Sequence, residues 1–382
     1  MSRFPRPRRT AAAVLAGGLS LGLLPALAAP AEAVDLEPNF ALEYVDSMVL
    51  PASPEYFGVP FGGISGLDYV ARDGSFLAQS DDRSQHAPAR FYELELPFGE
   101  DGFDEAGFAV KSRTDLRDAN GETYAAGTID PESIRHDKRS GTALVSDEGD
   151  AGQLIAPALR ETTLDGELVR EYEVPAEFVP VVDANGVQVS GVRNNKAFEN
   201  LSLSKNGKTV SLMTEGALVQ DGPLAGPDSG SPLRLTQLGR KSGEVEGQFV
   251  YGVEVFAGVE PGAGGDRGAV EILQVSAHGY LVVERQYSAG TNRIQVFEAS
   301  TKGATDVSGQ AALDGTAVPM SKELLIDLEV ADVHPDNVES ISWGPEFADG
   351  SASLILAADD NFSSLGGGTQ RTTFHLLKVS EK

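Results

Sequence analysis

One supersecondary unit returns along this chain, and its period limits the fold more than any other feature. It is clearest at Asp130–Gly149, DPESIRHDKRSGTALVSDEG, where strands at Glu132–His136 and Thr142–Asp147 flank a polar turn, Asp137–Gly141. Glu132 opens the first strand, and Asp147 with Glu148 closes the second. Antiparallel pairing sets those ends side by side, so one hairpin gathers three carboxylates. Copies are expected at Phe61–Arg83, Lys196–Gly216, Val270–Arg285 and Asn337–Asn361. With Ser65, Glu132, Glu199, Glu271 and Glu339 as equivalent first-strand positions, the spacings are 67, 67, 72 and 68 residues. Self-similarity at a nearly fixed period marks a repeat architecture.

Each period holds roughly four short strands and no long helical periodicity, which describes a propeller blade. The expected fold is therefore all-β, a single β-propeller of four-stranded blades. The fourth copy is degenerate, with Val270–Val275 and Tyr280–Val283 forming a shortened hairpin around His278-Gly279. The fifth has three strands after Asn337, and the unpaired segment Phe40–Leu50 can supply its fourth. N- and C-terminal strands would then share a blade and close the ring, removing an exposed sheet edge. Five blades use every strand once. Six is the alternative if Val181–Asn195 and Asp221–Pro232 conceal strands, and a two-sheet sandwich array is the rival architecture.

Arg3, Arg6, Arg8 and Arg9 precede an apolar run, Ala11–Ala29, and then Ala31-Glu32-Ala33. This order reads as a signal peptide over residues 1–33, cleaved near Ala33, followed by one domain over 34–382. A membrane anchor is the competing reading, but Pro25 and the many Ala and Gly residues make the run weakly apolar. Arg8-Arg9 leaves export by the general or the twin-arginine route open. No later stretch is long and apolar enough to span a bilayer, so the mature chain is expected outside the cytoplasm. It has no cysteine, so packing, or metal, must replace disulfides there. The formal net charge is -27, and loss of four Arg with Glu32 takes it near -30. Such a chain repels phosphate backbones, which excludes general nucleic-acid binding and suits cations.

In a propeller the first strands surround the axis, so the recurring acids are expected to converge at one face. The candidate metal ligands are Asp81, Asp82, Glu132, Asp147, Glu148, Glu199, Glu215, Glu284, Glu339, Asp359 and Asp360. So many carboxylates repel one another unless protonated or neutralised by cations. Oxygen donors without Cys, and mostly without His, point to Ca2+ as the cofactor. Arg83, Arg135, Lys196 and Arg285 recur beside these acids and are the candidate substrate-binding residues. Mixed charge of this kind suits a small anionic substrate such as a phosphate ester, bridging calcium and guanidinium groups. Simple salt bridging that offsets the acids is the competing account.

Weaker signals point elsewhere. Gly63-Ile64-Ser65-Gly66-Leu67 resembles a nucleophile elbow but lacks its final Gly and the strand-turn-helix setting. His86, His136, His278, His334 and His375 show no ligand spacing, although His86 could reach the ring. Trp343 reads as core packing.

The ordered set GGISGLDY, SDDR, DPESIR with SDEG, FENLSLS with TEG, GYLVVERQY, and NVESISWG with ADDNF resembles the phytase-like family labelled "esterase-like activity of phytase". The matching stretches run from about Phe61 to the C-terminus. The resemblance implies a secreted β-propeller and phosphoester or ester hydrolysis, with no catalytic residue assigned. Together these readings give a secreted, calcium-dependent phosphoesterase, expected as a monomer. The alternatives are a non-catalytic secreted propeller with structural calcium and a lactonase-like hydrolase.

Overall fold

The computed structural model of the protein describes residues 40–52, 54–260, 264–329 and 333–381; the expected signal peptide lies outside the described residues. Five four-stranded antiparallel sheets follow one another along the chain. Blade one contains Ile64–Val70, Ser75–Ser80, Arg90–Glu95 and Ala109–Asp115; blade two contains Pro131–Asp137, Thr142–Asp147, Ala158–Thr163 and Leu168–Glu171. Blade three contains Asn200–Leu203, Thr209–Met213, Ser231–Gly239 and Val245–Val253. Blade four contains Gly265–Gln274, Gly279–Ser288, Thr291–Ser300 and Ser321–Asp327. Blade five joins Asn337–Trp343, Ala352–Asp359 and Thr373–Glu381 to the N-terminal strand Phe40–Val49, which pairs antiparallel from Phe40↔Glu381 to Val49↔Thr373. The ring closes as the strand count requires.

The first strands touch in the cycle one–two–three–four–five–one, so they are the inner strands around the axis. The second strands of blades one and two, SFLAQS and TALVSD, are buried along their whole length. That burial explains their nearly continuous small and apolar character, because a strand covered on both faces has no solvent side to alternate with. Tight turns join them to the inner strands. In two of these, Gly74 and Gly141 adopt φ of +67° and +69°, the left-handed region where a glycine carries no Cβ penalty.

The core is divided as the fold demands. Five apolar clusters lie between successive blades, such as Ile134, Val145, Leu77 and Phe91 between blades one and two. Phe61, Ile64, Phe374 and Leu376 fill the seam between blades five and one. Polar staples cross the inner seams at one equivalent position. Asp68 accepts from the His136 N–H at 2.7 Å, the Ser202 Oγ accepts from the Gln274 N–H at 2.7 Å, and the Ser342 Oγ accepts from the Tyr69 N–H at 3.0 Å.

Two expectations are corrected. The suspected sixth blade does not form: Val181–Val182 and Gln188–Ser190 make a separate two-stranded ribbon, and the second segment contributes only the start of Ser231–Gly239. The fourth hairpin is not shortened, since its two strands are ten residues each and pair from Gly265↔Ser288 to Gln274↔Tyr280.

Candidate metal centre at the propeller axis

The inner ladder breaks register at the same level in four blades, between Ile64 and Gly66, Pro131 and Ile134, Ala269 and Glu271, and Val338 and Ser340. In blade three the ladder starts at Asn200, with Glu199 just before it. An irregularity of this kind re-aims the side chain it carries. The equivalent bulge residues are therefore Ser65, Glu132, Glu199, Val270 and Glu339. Directly across, the second strands bring Asp81, Glu148, Glu215, Arg285 and Asp359 to one level. The N–H groups of Asp81, Glu148 and Glu215 bond the carbonyls of Gly63, Asp130 and Ala197, and Arg285 and Asp359 pair with Gly268 and Asn337.

Three sets of carboxylate oxygens lie within 4.8 Å of one another: Asp81 with Glu339 and Asp359, Asp130 with Glu132 and Glu148, and Glu148 with Glu199 and Glu215. Glu148 belongs to two sets. Its Oε1 accepts the Ala197 N–H at 2.6 Å, while its Oε2 is buried with no partner. The acids form an arc through blades five, one, two and three. At blade four Arg285 closes it, bonding Glu339 on one side and Glu215 on the other, the latter at 3.1 Å.

Charge does not balance in this ring. Among the described residues eight carboxylates meet three cations: Arg83 at 3.3 Å from Asp130, Lys196 at 2.6 Å from Glu215, and Arg285. Glu215 and Asp359 are fully buried, and Glu132, Glu148, Glu199 and Glu339 nearly so. Burial pushes Asp81, Glu132, Glu148, Glu199 and Asp359 well above the usual carboxylate range. Neighbouring acids add to the shift, Asp359 and Glu339 on Asp81, and Glu199 and Asp130 on Glu132. Burial lifts Asp130 to about 7 against the pull of Arg83. Bound cations or bound protons must make up the difference. Oxygen-only donors, shared carboxylates and an orphaned buried oxygen fit a hard divalent cation such as calcium.

Seven of the expected ligands are brought together: Asp81, Glu132, Glu148, Glu199, Glu215, Glu339 and Asp359. Four are not. Asp82 is held by Arg90 at 2.6 Å and caps the N–H groups of Gln85, His86 and Ala87. Asp147 bonds Arg160 and the N–H groups of Asp130 and Gly149. Asp360 accepts from the N–H groups of Gly63 and Phe362. Glu284 lies outside the axis against Arg267, Lys322 and the Tyr251 hydroxyl.

Of the expected substrate-binding cations, Arg83, Lys196 and Arg285 stand at the ring, whereas Arg135 lies deeper in the channel. There it pairs with Glu271 at 2.8 Å and donates to the carbonyls of Leu67, Ile134, Ile272 and Ile341 in four blades. Glu271 itself is one residue out of step with the ring, and in a strand one residue exchanges the two faces. Ser65, in the stretch that only partly resembles a nucleophile elbow, donates its Oγ–H to the Glu132 carbonyl at 2.6 Å and is buried. His86 stacks on Phe362 at 4.6 Å.

Asp130 was not among the expected ligands. Its counterparts in the other blades are Gly63, Ala197, Gly268 and Asn337, so no period marks it; its only sequence signal is its place two residues before Glu132.

A family model described as "Phytase-like: Esterase-like activity of phytase" matches residues 59–362. The chain belongs to this phytase-like family. No curated protein matches it. Similar solved structures include an endo-1,4-beta-xylanase from Bacteroides thetaiotaomicron, 11% identical with a TM-score of 0.42 over 82% of this chain and 90% of that one. A Coprinopsis cinerea GH62 alpha-L-arabinofuranosidase catalytic domain is 10% identical, with a TM-score of 0.41 over 90% and 98%. The Pseudomonas aeruginosa periplasmic gluconolactonase is 12% identical, with a TM-score of 0.35 over 82% and 85%. Among the described residues no helix is long and apolar enough to cross a membrane.

Proposed function

We propose that this phytase-like propeller is a secreted, calcium-dependent hydrolase of phosphate esters, with a leader over residues 1–33 and its reaction site at the acidic ring. The observation that carries the proposal is the charge deficit, eight converging carboxylates against three cations. Asp81, Glu339 and Asp359 would hold one cation. Asp130, Glu132, Glu148, Glu199 and Glu215 would hold the rest, with Glu148 shared. Bound calcium would supply Lewis-acid polarisation of a phosphoryl oxygen and a more acidic water. Arg83, Lys196 and Arg285 supply fixed positive charge at the rim, where a phosphate can exchange one ion pair for another. In the cation-free protein Asp130, lifted by burial to about 7, holds a proton near neutral pH that a bound cation would displace.

The test is phosphate release from phytate and from an aryl phosphate, with calcium and after chelation. Calcium-dependent release from either supports the proposal, and no release from both overturns it. The near-complete burial of Glu215 and Asp359 favours a second reading, in which calcium is purely structural. On that reading Glu199→Gln lowers the melting temperature of the calcium-loaded protein while the parent shows no hydrolysis.

A further inference from the structure

At the end of the axis away from the acids, the inner strands run into their hairpin turns and leave a pocket of about 470 Å³. All five blades contribute, through Asp68, His136, Leu203, Leu273 and Trp343 among others, and Arg135 forms its floor. Lys138 and Arg139 enter from the turn of blade two and Lys205 from the turn of blade three. The stem of Arg139 crosses to the second turn, where a Cβ on Gly207 would sit 2.8 Å from its Cδ.

These cations are unusual for this chain. Nearly every other Arg or Lys among the described residues is engaged in an ion pair or hydrogen bond. The side chains of Lys138, Arg139, Lys205, Lys208, Lys241 and Lys302 make neither, and three of these six line this one pocket. The pocket's acids are already committed. Asp137 pairs with Arg240 at 3.1 Å and accepts the Arg139 N–H, and Asp68 accepts the His136 N–H. In a chain of net charge -27, three uncommitted cations converging on a concave surface make a local positive site. Between them the wall is apolar, with Leu203, Leu273, Val275 and the half-buried indole of Trp343. Gln274, at the edge shared with an adjoining hollow of about 480 Å³, keeps a buried Oε1 without a partner.

We propose that this mouth is a second ligand site, separate from the acidic ring, for a small organic anion: a carboxylate- or phosphate-type group carried on a flat apolar body. Lys138, Arg139 and Lys205 take the charged end. Trp343 and Leu273 take the flat part.

The chain has one tryptophan, so the indole signal comes from Trp343 in the wall of this pocket. The probe is phenylphosphonate, whose carbon–phosphorus bond phosphoester hydrolysis does not touch, and benzyl alcohol is the neutral control. A saturable change with the phosphonate and none with the alcohol is expected. Charge reversal at two exposed turn positions, K138E with K205E, should weaken binding about tenfold or more. It should leave the melting temperature and any hydrolysis at the ring unchanged. Binding should be the same with calcium and with chelator. No saturable change into the millimolar range, an undiminished response in the double variant, or loss of binding on chelation would each overturn the proposal. Failure of the ring hydrolysis assay would leave this test intact.

Discussion

Two groups of acids lie on the same axis, and they are built on opposite terms. Inside the channel Glu271 meets one guanidinium, that of Arg135, and also accepts the Ser133 hydroxyl and the N–H groups of Leu201 and Ile272. Every part of that plug faces a partner except the Arg135 Nε. At the ring the carboxylates outnumber the cations and Glu148 keeps a bare oxygen. Burial alone therefore does not mark a functional acid, since Glu271 and Glu215 are both fully buried. What separates them is whether the fold itself completes the charge. The plug is complete and holds the blades together. The ring's own charges do not balance, and bound protons or a bound cation must complete them.

The plug offers the largest effect with which to break this contrast. Glu271→Leu strands a guanidinium that cannot give up its charge, and should cost about 3–5 kcal/mol of stability by denaturant unfolding. Arg135→Met should cost clearly less, because Glu271, already lifted by burial to about 7, can take a proton. Equal losses would show that the pair does not work as described.

A smaller effect distinguishes the two sites by pH. A carboxyl whose pKa is raised on folding favours the folded state below its unfolded value, about 4, and loses that contribution as pH rises through the folded value. Asp130 reaches about 7, and Asp81, Glu132, Glu148, Glu199 and Asp359 are also raised. The melting temperature of chelator-stripped protein should therefore fall from pH 5 to pH 8. Calcium should flatten that fall, because the ring acids then carry their charge against a cation. A decline of the same slope with and without calcium would assign it to groups outside the ring, Glu271 included.

The contrast was only partly legible in the sequence. The blade count and the closure through Phe40–Val49 follow from the period and the number of strands, both local properties. Glu132, Glu199 and Glu339 were legible for the same reason. In blade four the bulge falls on Val270, so the neighbouring Glu271 mimicked the repeat while facing a different level of the channel. The acid pairs divided too: Asp81, Glu148 and Asp359 face the ring, whereas Asp82, Asp147 and Asp360 bind their own loops. Successive strand residues point to opposite faces, and the 67-residue step from Asp81 to Glu148 to Glu215 already selects the correct member. Arg285 takes the acid's place in blade four, a substitution visible only once that register is known. The cation pocket at the other mouth left only a partial trace: Lys138 and Lys205 are 67 residues apart, the step from Glu132 to Glu199, but the matching positions of the other blades carry no cation and Arg139 has no counterpart in the blade-three turn.

The central claim is that the ring needs a divalent cation. Calorimetric titration of chelator-stripped protein with calcium tests it most directly, with the melting temperature followed alongside and Glu199→Gln as the matched variant. The account predicts saturable, stoichiometric binding that releases protons near neutral pH, raises the melting temperature, and is weakened in Glu199→Gln. Absence of calcium heat together with an unchanged melting temperature would contradict it.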